Sequence, residues 1–232
     1  MKIIFKFAEN LLSLFYPRFC PSCNSVMHSY EDTICINCLT HLPETNYHSW
    51  TLNPLEEMLT GRIGIERVSS LLFYKKNTHV QQLLHKLKYK GMQNIGIFFG
   101  NYYGNKLLTQ SFFQTLDCIL PIPLHPRKLK ERGYNQSESF AKGLSQSMNI
   151  PYYTDVLIRK EYTVSQTTKS RFDRWENVKD VFEVVKPEIV ESSHVLVCDD
   201  VLTTGATIEA AVAALKNLPD VKISVVTLAT AV

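Results

Sequence analysis

Three features of this 232-residue sequence predict an α/β fold, in which a mainly parallel β-sheet flanked by helices is joined to a small N-terminal module. Short apolar segments alternate with helical patterns from about residue 62 onward, as in sheets built from strand-helix-strand units. Two Cys-x-x-Cys pairs lie within the first 48 residues. With 45% hydrophobic residues, the chain can bury one large core and carry a small second module. We therefore predict two domains, residues 1–48 and 62–232.

The elements of the larger domain follow from the period of its apolar residues. In chain order they are a strand at 68–74, helices at 80–88 and 94–108, a strand at 117–120, a helix at 136–148, strands at 181–185 and 194–198, a helix at 205–217 and a strand at 222–229. The polar segment 45–59 is interpreted as the link between the domains. In a parallel sheet of this kind, ligands bind beyond the carboxyl ends of the strands.

The first 15 residues are apolar at helical spacing, which predicts a short amphipathic helix that packs on its neighbour rather than on a membrane. Glu9 and Asn10 interrupt the apolar run and no cleavage site follows, so we do not expect a signal peptide. We expect a cytoplasmic protein without a membrane-spanning segment. The net charge of +3 is too small to predict a nucleic-acid binder from composition alone.

The N-terminal cysteines have the spacing of a zinc site, and they are Cys20, Cys23, Cys35 and Cys38. Two Cys-x-x-Cys turns complete a closed four-sulfur shell, which indicates a structural ion, because so small a module cannot fold on its apolar residues alone. Disulfides or a redox pair are the alternatives, and zinc is favoured because nothing indicates an oxidising compartment. Asn24 follows the first pair, where a positive φ is often needed. Cys118 and Cys198 lie in apolar strand sequences and are predicted to be buried.

Residues 195–207 join an apolar strand to two acids and then to a Thr- and Gly-rich turn that opens a helix. The backbone amides of residues 204–207 can surround a phosphate at the positive end of this helix, and nearby threonine hydroxyls add donors. Asp199 and Asp200, at the end of the strand, suit the two hydroxyls of a ribose and an adjacent hydrated magnesium ion. The alternative is that the acids only complement the helix dipole and that the turn only caps the helix.

The segment VLVCDDVLTTGAT, residues 195–207, resembles the phosphoribosyl pyrophosphate (PRPP) signature of type I phosphoribosyltransferases. Other motifs resemble those of the ComF family, in family order along essentially the whole chain. They are CPSC and CINC at the cysteines, LKYKG at 87–91, LPIPLHPRKLKERGYNQSESFAKGL at 120–144 and QTTKSRFDRWENVKDVF at 166–182. Cys198 and Asn24 stand where the family usually has an aliphatic residue and a glycine, and neither departure removes chemistry.

The resemblance implies a type I phosphoribosyltransferase fold with an N-terminal zinc ribbon, and a site for PRPP and magnesium. The residues implied to bind PRPP are Asp199, Asp200, Val201, Leu202, Thr203, Thr204, Gly205, Ala206, Thr207, Lys88, Arg127, Gly133, Tyr134, Asn135 and Gln136. Those implied to act in catalysis are Asp199, Asp200, Arg132, Arg171 and Arg174. Residues 120–136 are expected to form a loop facing the pyrophosphate, and residues 166–177 a loop that closes over the site. A solvated charged face and an ordinary surface loop are the alternatives.

Three functions fit these features. The first is transfer of a phosphoribosyl group from PRPP to an unknown acceptor such as a nucleobase, with release of pyrophosphate. The second is a sensor that binds PRPP without consuming it. The third is handling of single-stranded DNA together with competence proteins, because ComF names a competence locus and because cations lie near tyrosines that can stack on bases. These residues are Lys75, Lys76, Lys86, Lys88, Lys90 and the basic residues of 127–132, with Tyr74, Tyr89 and Tyr134. The small net charge argues against tight DNA binding.

Overall fold

The computed structural model describes residues 16–59, 61–160 and 181–231, and the predicted N-terminal helix lies outside them. The helices are α1 (Ile36–Thr40), α2 (Pro54–Leu59), α3 (His79–Tyr89), α4 (Gln93–Leu107), α5 (Pro126–Arg132), α6 (Gln136–Met148) and α7 (Ala206–Leu215). The strands are β1 (Arg67–Phe73), β2 (Cys118–Pro121), β3 (Leu157–Arg159), β4 (Phe182–Val184), β5 (His194–Leu202) and β6 (Lys222–Thr230). Within these ranges no helix is both long and apolar enough to span a membrane.

Four strands form a parallel sheet in the order β1-β6-β5-β2, which confirms the predicted fold class. The central strands β5 and β6 are apolar over long runs because helices cover both faces of the sheet. Other segments cover the two outer strands. The amide of Thr45 donates to the Leu71 carbonyl beside β1 (3.0 Å), and the amide of Tyr153 donates to the Ile119 carbonyl beside β2 (3.0 Å).

Alternate residues of the sheet face two separate buried clusters. In β5, Leu196 and Cys198 contribute to the cluster that contains α3, α4 and α6, whereas Val195 and Val197 contribute to the cluster that contains α2 and α7. Cys118 and Cys198 are both buried, as predicted. The core therefore has three layers, with the sheet in the middle.

Helices α4 and α6 pack with their backbones in contact because glycines line the crossing. A Cβ atom added at Gly100 would collide with the Phe140 carbonyl oxygen, and one added at Gly143 would collide with the Ile97 carbonyl oxygen. Larger residues would force the helices apart. Because α6 begins beside the end of β5, this crossing also fixes the position of the N-terminus of α6.

The cysteine-bearing module packs on α3. Three of its cysteines share one buried cluster with the apolar face of that helix. On the adjacent surface the Ser22 carbonyl oxygen lies 3.1 Å from His79 Nδ1, and Lys86 Nζ donates to Asn24 Oδ1 at 2.9 Å. Asn24 has a φ of 61°, as predicted. The module and the sheet domain are therefore joined by a common core.

Residues 120–136 differ from the prediction of a loop. They contain α5, which begins at Pro126 and is followed by Gly133 in the left-handed conformation (φ 77°). None of the residues of α5 is buried, so the helix lacks the apolar period by which helices are recognised in a sequence.

Residues 45–59, interpreted as a polar link, are packed against β1. Leu55 and Leu59 of α2 are fully buried. The polar residues among them have partners, because Glu56 Oε1 lies 2.7 Å from Arg67 Nε and Asn53 Nδ2 donates to the Val68 carbonyl at 2.8 Å. Such pairing permits a polar segment to be buried.

The predicted strand near residues 181–185 is present as β4, but its partner was not predicted. β4 pairs antiparallel with the three-residue strand β3, outside the main sheet. A strand of three residues is too short to show a period in the sequence.

We predict that Gly100→Ala lowers the free energy of unfolding by about 1 to 3 kcal/mol, because its methyl group would meet the α6 backbone. Gly104→Ala should cost less, because the nearest atom there is the Ser147 hydroxyl, which can rotate away. At an exposed helical position the same change would stabilise by about 1 kcal/mol. Urea unfolding of the wild type and of the two variants measures their free energies of unfolding. A Gly100→Ala protein as stable as the wild type would contradict the close crossing of α4 and α6.

Candidate functional site

The candidate site lies where β5 ends and α7 begins. Gly205 precedes α7 with a φ of 86°, a conformation that glycine adopts without strain. A Cβ at this position would lie 2.7 Å from Leu59 Cδ2, so the turn rests against α2. Thr203 and Thr204 are exposed, and a cavity of about 30 Å³ lies inside the turn. The cavity has room for one oxygen-sized group beside the N-terminus of α7.

Two carboxylates stand at the same end of β5, and both line a larger cavity beside the turn. Asp199 Oδ1 accepts a hydrogen bond from Ser137 Oγ (2.7 Å) and another from the amide of Asp200 (2.8 Å). Asp200 Oδ2 lies 2.9 Å from Lys88 Nζ, and these two side chains are only 13% and 23% exposed. The pair is therefore held by contacts from two different helices, α3 and α6.

The electrostatics of the pair are dominated by burial. Desolvation raises the pKa of Asp199, and the neighbouring Asp200 carboxylate raises it further. The hydrogen bonds from Ser137 and from the Asp200 amide, and the charge of Lys88, act in the opposite direction. Adjacent carboxylates at a strand end offer oxygen ligands of the kind that magnesium prefers.

The larger cavity has a volume of about 580 Å³ and reaches the carboxyl ends of β1, β2 and β5. Thr203 and Thr207 line it beside the acids. Four cations also line it, and they are Lys88, Lys128, Arg132 and Arg159. A cleft of this size with both acids and cations can hold an anionic ligand that also carries hydroxyl groups.

The residues 133–136, predicted to contact a ligand, do not line this cavity, and three of them bond within the protein. The Tyr134 hydroxyl donates to a carbonyl oxygen of α3. Asn135 caps α6 and donates to the Ile122 carbonyl beyond β2 at 2.9 Å. Gln136 is fully buried, and its Oε1 accepts a hydrogen bond from Arg132 at 2.6 Å. Gly133 allows the left-handed turn after α5.

The other predicted site residues have different surroundings. Val201 lines the cavity, whereas the Leu202 side chain is buried in the core below it. Arg127 is exposed and lies outside the cavity lining. Arg171 and Arg174 lie outside the described residues.

The cavity also contains residues that sequence reasoning did not single out. Gln81 and His85 line it on the face of α3 that carries Lys88. Gln81, His85 and Lys88 are four and three residues apart in the sequence, and this helical spacing indicates that they share one face of α3. On the same helix the Tyr89 ring, 54% exposed, lies 5.1 Å from the His85 ring and 5.1 Å from the Arg132 guanidinium. The wall of the cavity is therefore partly aromatic.

A second candidate site is formed by the N-terminal cysteines. Their four sulfur atoms lie within 4.8 Å of one another, and none of the four forms a disulfide. The sulfurs of Cys23 and Cys35 are 3.6 Å apart, close to the separation of about 3.8 Å between two ligands of a tetrahedral zinc ion. Burial raises the pKa of the Cys35 and Cys38 thiols, so their thiolates need a nearby cation. The four residues fit a metal ion.

The chain is similar to known proteins in both sequence and structure. The phosphoribosyl transferase domain family matches residues 135–231. Competence protein F of Haemophilus influenzae is 33% identical over 93 residues, which are 40% of this chain and 41% of that protein. DNA utilization protein YhgH of Escherichia coli (strain K12) is 27% identical over 200 residues, which are 85% of this chain and 83% of that protein.

Among solved structures, the glutamine PRPP amidotransferase of B. subtilis superposes with a TM-score of 0.43 at 22% identity. The superposition covers 62% of this chain and 30% of the other. The chain thus spans less than half of the Haemophilus protein and about a third of this structural neighbour.

We predict that Asp199→Asn becomes more stable relative to the wild type as the pH rises from about 4 to 8. Because the pKa of Asp199 is raised in the folded protein, the folded state binds this proton more tightly than the unfolded state does. The stabilisation is present at low pH and is lost as the pH rises through the folded-state pKa. Urea unfolding across this range measures the difference, with Asp32→Asn, an exposed carboxylate, as the control. A difference that stays constant with pH would contradict the raised pKa.

Proposed function

We propose that the chain is a ComF-type protein and that it binds PRPP with magnesium at the cavity beside Asp199 and Asp200; its similarity to a competence protein and to DNA utilization proteins, and the phosphoribosyl transferase domain match, support this proposal. One observation supports this proposal above all. Two carboxylates lie near the carboxyl end of a buried strand, and the turn that follows the strand, with Gly205 at a φ of 86°, opens a ten-residue helix beside a cleft of about 580 Å³. A sugar with a terminal phosphate and two neighbouring hydroxyl groups is complementary to this pair of features.

In this proposal the ligand is held at two ends. The amides of residues 204–207 and the hydroxyls of Thr203 and Thr207 hold the 5'-phosphate. The carboxylates of Asp199 and Asp200 accept hydrogen bonds from the ribose hydroxyls. The oxygen atoms of these two carboxylates suit magnesium. A magnesium ion bound together with PRPP would supply positive charge beside the pyrophosphate. Lys88 exchanges its contact with Asp200 for a phosphate oxygen as the ligand enters.

The leading activity that we propose is transfer of the phosphoribosyl group. The bond between the anomeric carbon and the pyrophosphate oxygen breaks, and a nitrogen of the acceptor forms a bond to that carbon with inversion. The cations that line the cavity stabilise the charge that develops on the leaving pyrophosphate. The proton lost by the acceptor passes to the pyrophosphate or to His85, whose ring lines the cavity. Arg171 and Arg174 keep the role proposed from the sequence, as further cations for the leaving group.

We predict that the double variant Asp199→Asn/Asp200→Asn binds PRPP at least about 100-fold more weakly than the wild type, because it loses two charged hydrogen-bond acceptors. Titration calorimetry with and without magnesium measures the affinity. Asp32→Asn/Asp220→Asn removes the same charge at exposed positions and is the matched control. Equal affinity in wild type and the Asp199/Asp200 variant would remove the proposed role of the acids.

A second proposal is a sensor that binds PRPP and releases it unchanged. The sensor differs from the transferase only in that it does not consume PRPP. Pyrophosphate release from PRPP, measured with magnesium and a panel of nitrogen bases, therefore distinguishes the two. Release that depends on one base supports the transferase. Intact PRPP recovered after incubation with every base, from a protein that binds it, supports the sensor.

We also propose that the four N-terminal cysteines hold one structural zinc ion. Four thiolates close the coordination shell and leave no position for a substrate, which is the arrangement of structural sites. The proposal is supported by the spacing of the sulfurs and by the packing of this module on α3. Because the module shares the buried cluster of α3 and α4, the ion would stabilise the adjoining helices as well as the module.

We predict one zinc ion per chain in the wild type and close to none in Cys35→Ser, measured by elemental mass spectrometry. Chelation should lower the melting temperature of the wild type, because the ion is bound only by the folded module. Cys118→Ala, which removes a buried thiol elsewhere, should keep its zinc. A full zinc content in Cys35→Ser would contradict the four-cysteine site.

A third proposal, supported by the names of the similar proteins, is contact with single-stranded DNA. Lys75, Lys76 and Lys90 are exposed near α3, and the Tyr89 ring on that helix is 54% exposed. Such a surface can hold phosphates and stack one base. Other competence proteins are the proposed partners.

We predict that a labelled single strand binds with an affinity that falls steeply between two salt concentrations, by a slope of about 0.7 per phosphate contact. Lys75→Ala/Lys90→Ala should bind more weakly and with a smaller slope. Lys142→Ala/Lys222→Ala, also exposed, should behave as the wild type. Gel shifts measure all three, and binding that is indifferent to salt would contradict a phosphate-binding surface.

A further inference from the structure

We infer that the α3 wall of the larger cavity is the acceptor subsite, where a planar nitrogen base that carries a ring carbonyl stacks on Tyr89 and accepts a hydrogen bond from Gln81. This role rests on the proposed function for the reaction itself, and it adds the chemical class of the acceptor. Neither Tyr89 nor Gln81 is used by the proposed contacts with PRPP.

The lining of the cavity changes character along α3. Near the C-terminus of the helix, Lys88 Nζ lies 2.9 Å from Asp200 Oδ2, among the groups that the proposed function assigns to PRPP. Gln81 lies about 10 Å from there along the helix axis, toward the N-terminus, and it still lines the same cavity. Tyr74 and Leu84 also line the cavity, and like Gln81 they carry no charge. The cavity therefore extends beyond its charged end into a part that suits an uncharged ligand.

The Tyr89 ring offers a flat surface for a base. It lines the cavity and is 54% exposed. Its position is fixed by neighbours, because the Arg132 guanidinium lies over the ring at 5.1 Å and donates to the Tyr89 hydroxyl at 3.4 Å. Gln136 Oε1 in turn accepts a hydrogen bond from Arg132 at 2.6 Å, and the His85 ring lies 5.1 Å from the Tyr89 ring. An exposed ring that is held in this way favours stacking with a planar ligand.

The Gln81 side chain is held with its nitrogen free. Asn77, which has a φ of 61°, lies just before α3, and its backbone amide donates to Gln81 Oε1 at 2.6 Å. Because a backbone amide can donate only to the oxygen of a carboxamide, this contact fixes which way round the group stands. Among the residues that the structure describes, none accepts a hydrogen bond from Gln81 Nε2. Gln81 therefore presents a donor to a ligand in the cavity.

The orientation of Gln81 selects the class of base. A donor of fixed direction pairs with a carbonyl oxygen on the base, whereas it meets an exocyclic amino group as a second donor. Within the described residues, the only carboxylates that line the cavity are Asp199 and Asp200, which the proposed function assigns to the ribose. No carboxylate remains to accept a hydrogen bond from an amino group. A base with a carbonyl should therefore bind more tightly than the matching base with an amino group.

The test titrates ¹⁵N-labelled protein with two pairs of free bases, hypoxanthine with adenine and uracil with cytosine. Within each pair a carbonyl replaces an amino group. Magnesium and ribose 5-phosphate are present, so that the phosphate end is filled by a sugar that lacks the leaving group. Binding is followed at the backbone amides of α3 and, in the wild type, at the side-chain amide of Gln81. We expect the carbonyl base of at least one pair to bind about tenfold more tightly than its amino partner.

Four variants separate the two contacts. In Gln81→Glu an oxygen acceptor replaces the Nε2 donor, so the preference within the pair should reverse. Gln82→Glu places the same charge on an exposed neighbour and should keep the wild-type preference. Tyr89→Ala should weaken the binding of both bases about tenfold or more, because stacking is lost. Tyr89→Phe keeps the ring and should bind both bases about as the wild type does.

The outcomes separate the subsite from the proposed function. A wild type that binds ribose 5-phosphate with magnesium but none of the four bases would overturn the acceptor subsite. A Gln81→Glu protein with the wild-type preference, or one that changes only as Gln82→Glu does, would overturn the contact with Gln81. Failure of the wild type to bind PRPP would instead contradict the proposed function, whereas a reversed base preference in Gln81→Glu would still support the subsite.

Discussion

The site depends on keeping two adjacent carboxylates in a partly buried cleft at the end of β5. Burial and mutual repulsion both oppose ionisation of Asp199, and only specific donors and cations offset them. Ser137 and the Asp200 amide bond Asp199, while Lys88 pairs with Asp200. The proposed binding of a magnesium ion with a phosphorylated sugar would relieve the repulsion between the two carboxylates. This cost in stability is typical of sites that are built for binding.

The partners of the two acids come from elements that are fixed by tight packing. Lys88 is on α3, whose apolar face shares a buried cluster with the cysteine-bearing module. Ser137 is on α6, which glycines bring into backbone contact with α4. The turn before α7 rests on Leu59 of α2, in the segment that was interpreted from the sequence as a link. The packing of the cysteine-bearing module and the glycine crossing, which are far apart in the chain, therefore both help to position the side chains that contact Asp199 and Asp200.

The sequence predicted those elements whose apolar residues repeat with a clear period. The helix at 136–148 agrees with the structure at both ends, and the central strands were placed because they are apolar on both faces. α5 could not be predicted in this way, because none of its residues is buried. The burial of residues 45–59 depends on partners in β1, which local sequence does not reveal.

The sequence was enough to predict the part of the candidate site formed by the acids and the turn, but not the roles of the residues around them. The acids and the turn are contiguous in sequence, so their order alone indicates their chemistry. Asn135 and Gln136 have side chains that suit either a ligand or the protein, and a motif does not distinguish the two uses. If the turn before α7 holds the phosphate of PRPP as proposed, the backbone amides of the turn should be protected from exchange with deuterium when the ligand is bound. On addition of PRPP and magnesium we expect exchange to slow at residues 203–208, whereas binding that leaves these amides unchanged and protects another surface would contradict a phosphate site at this turn.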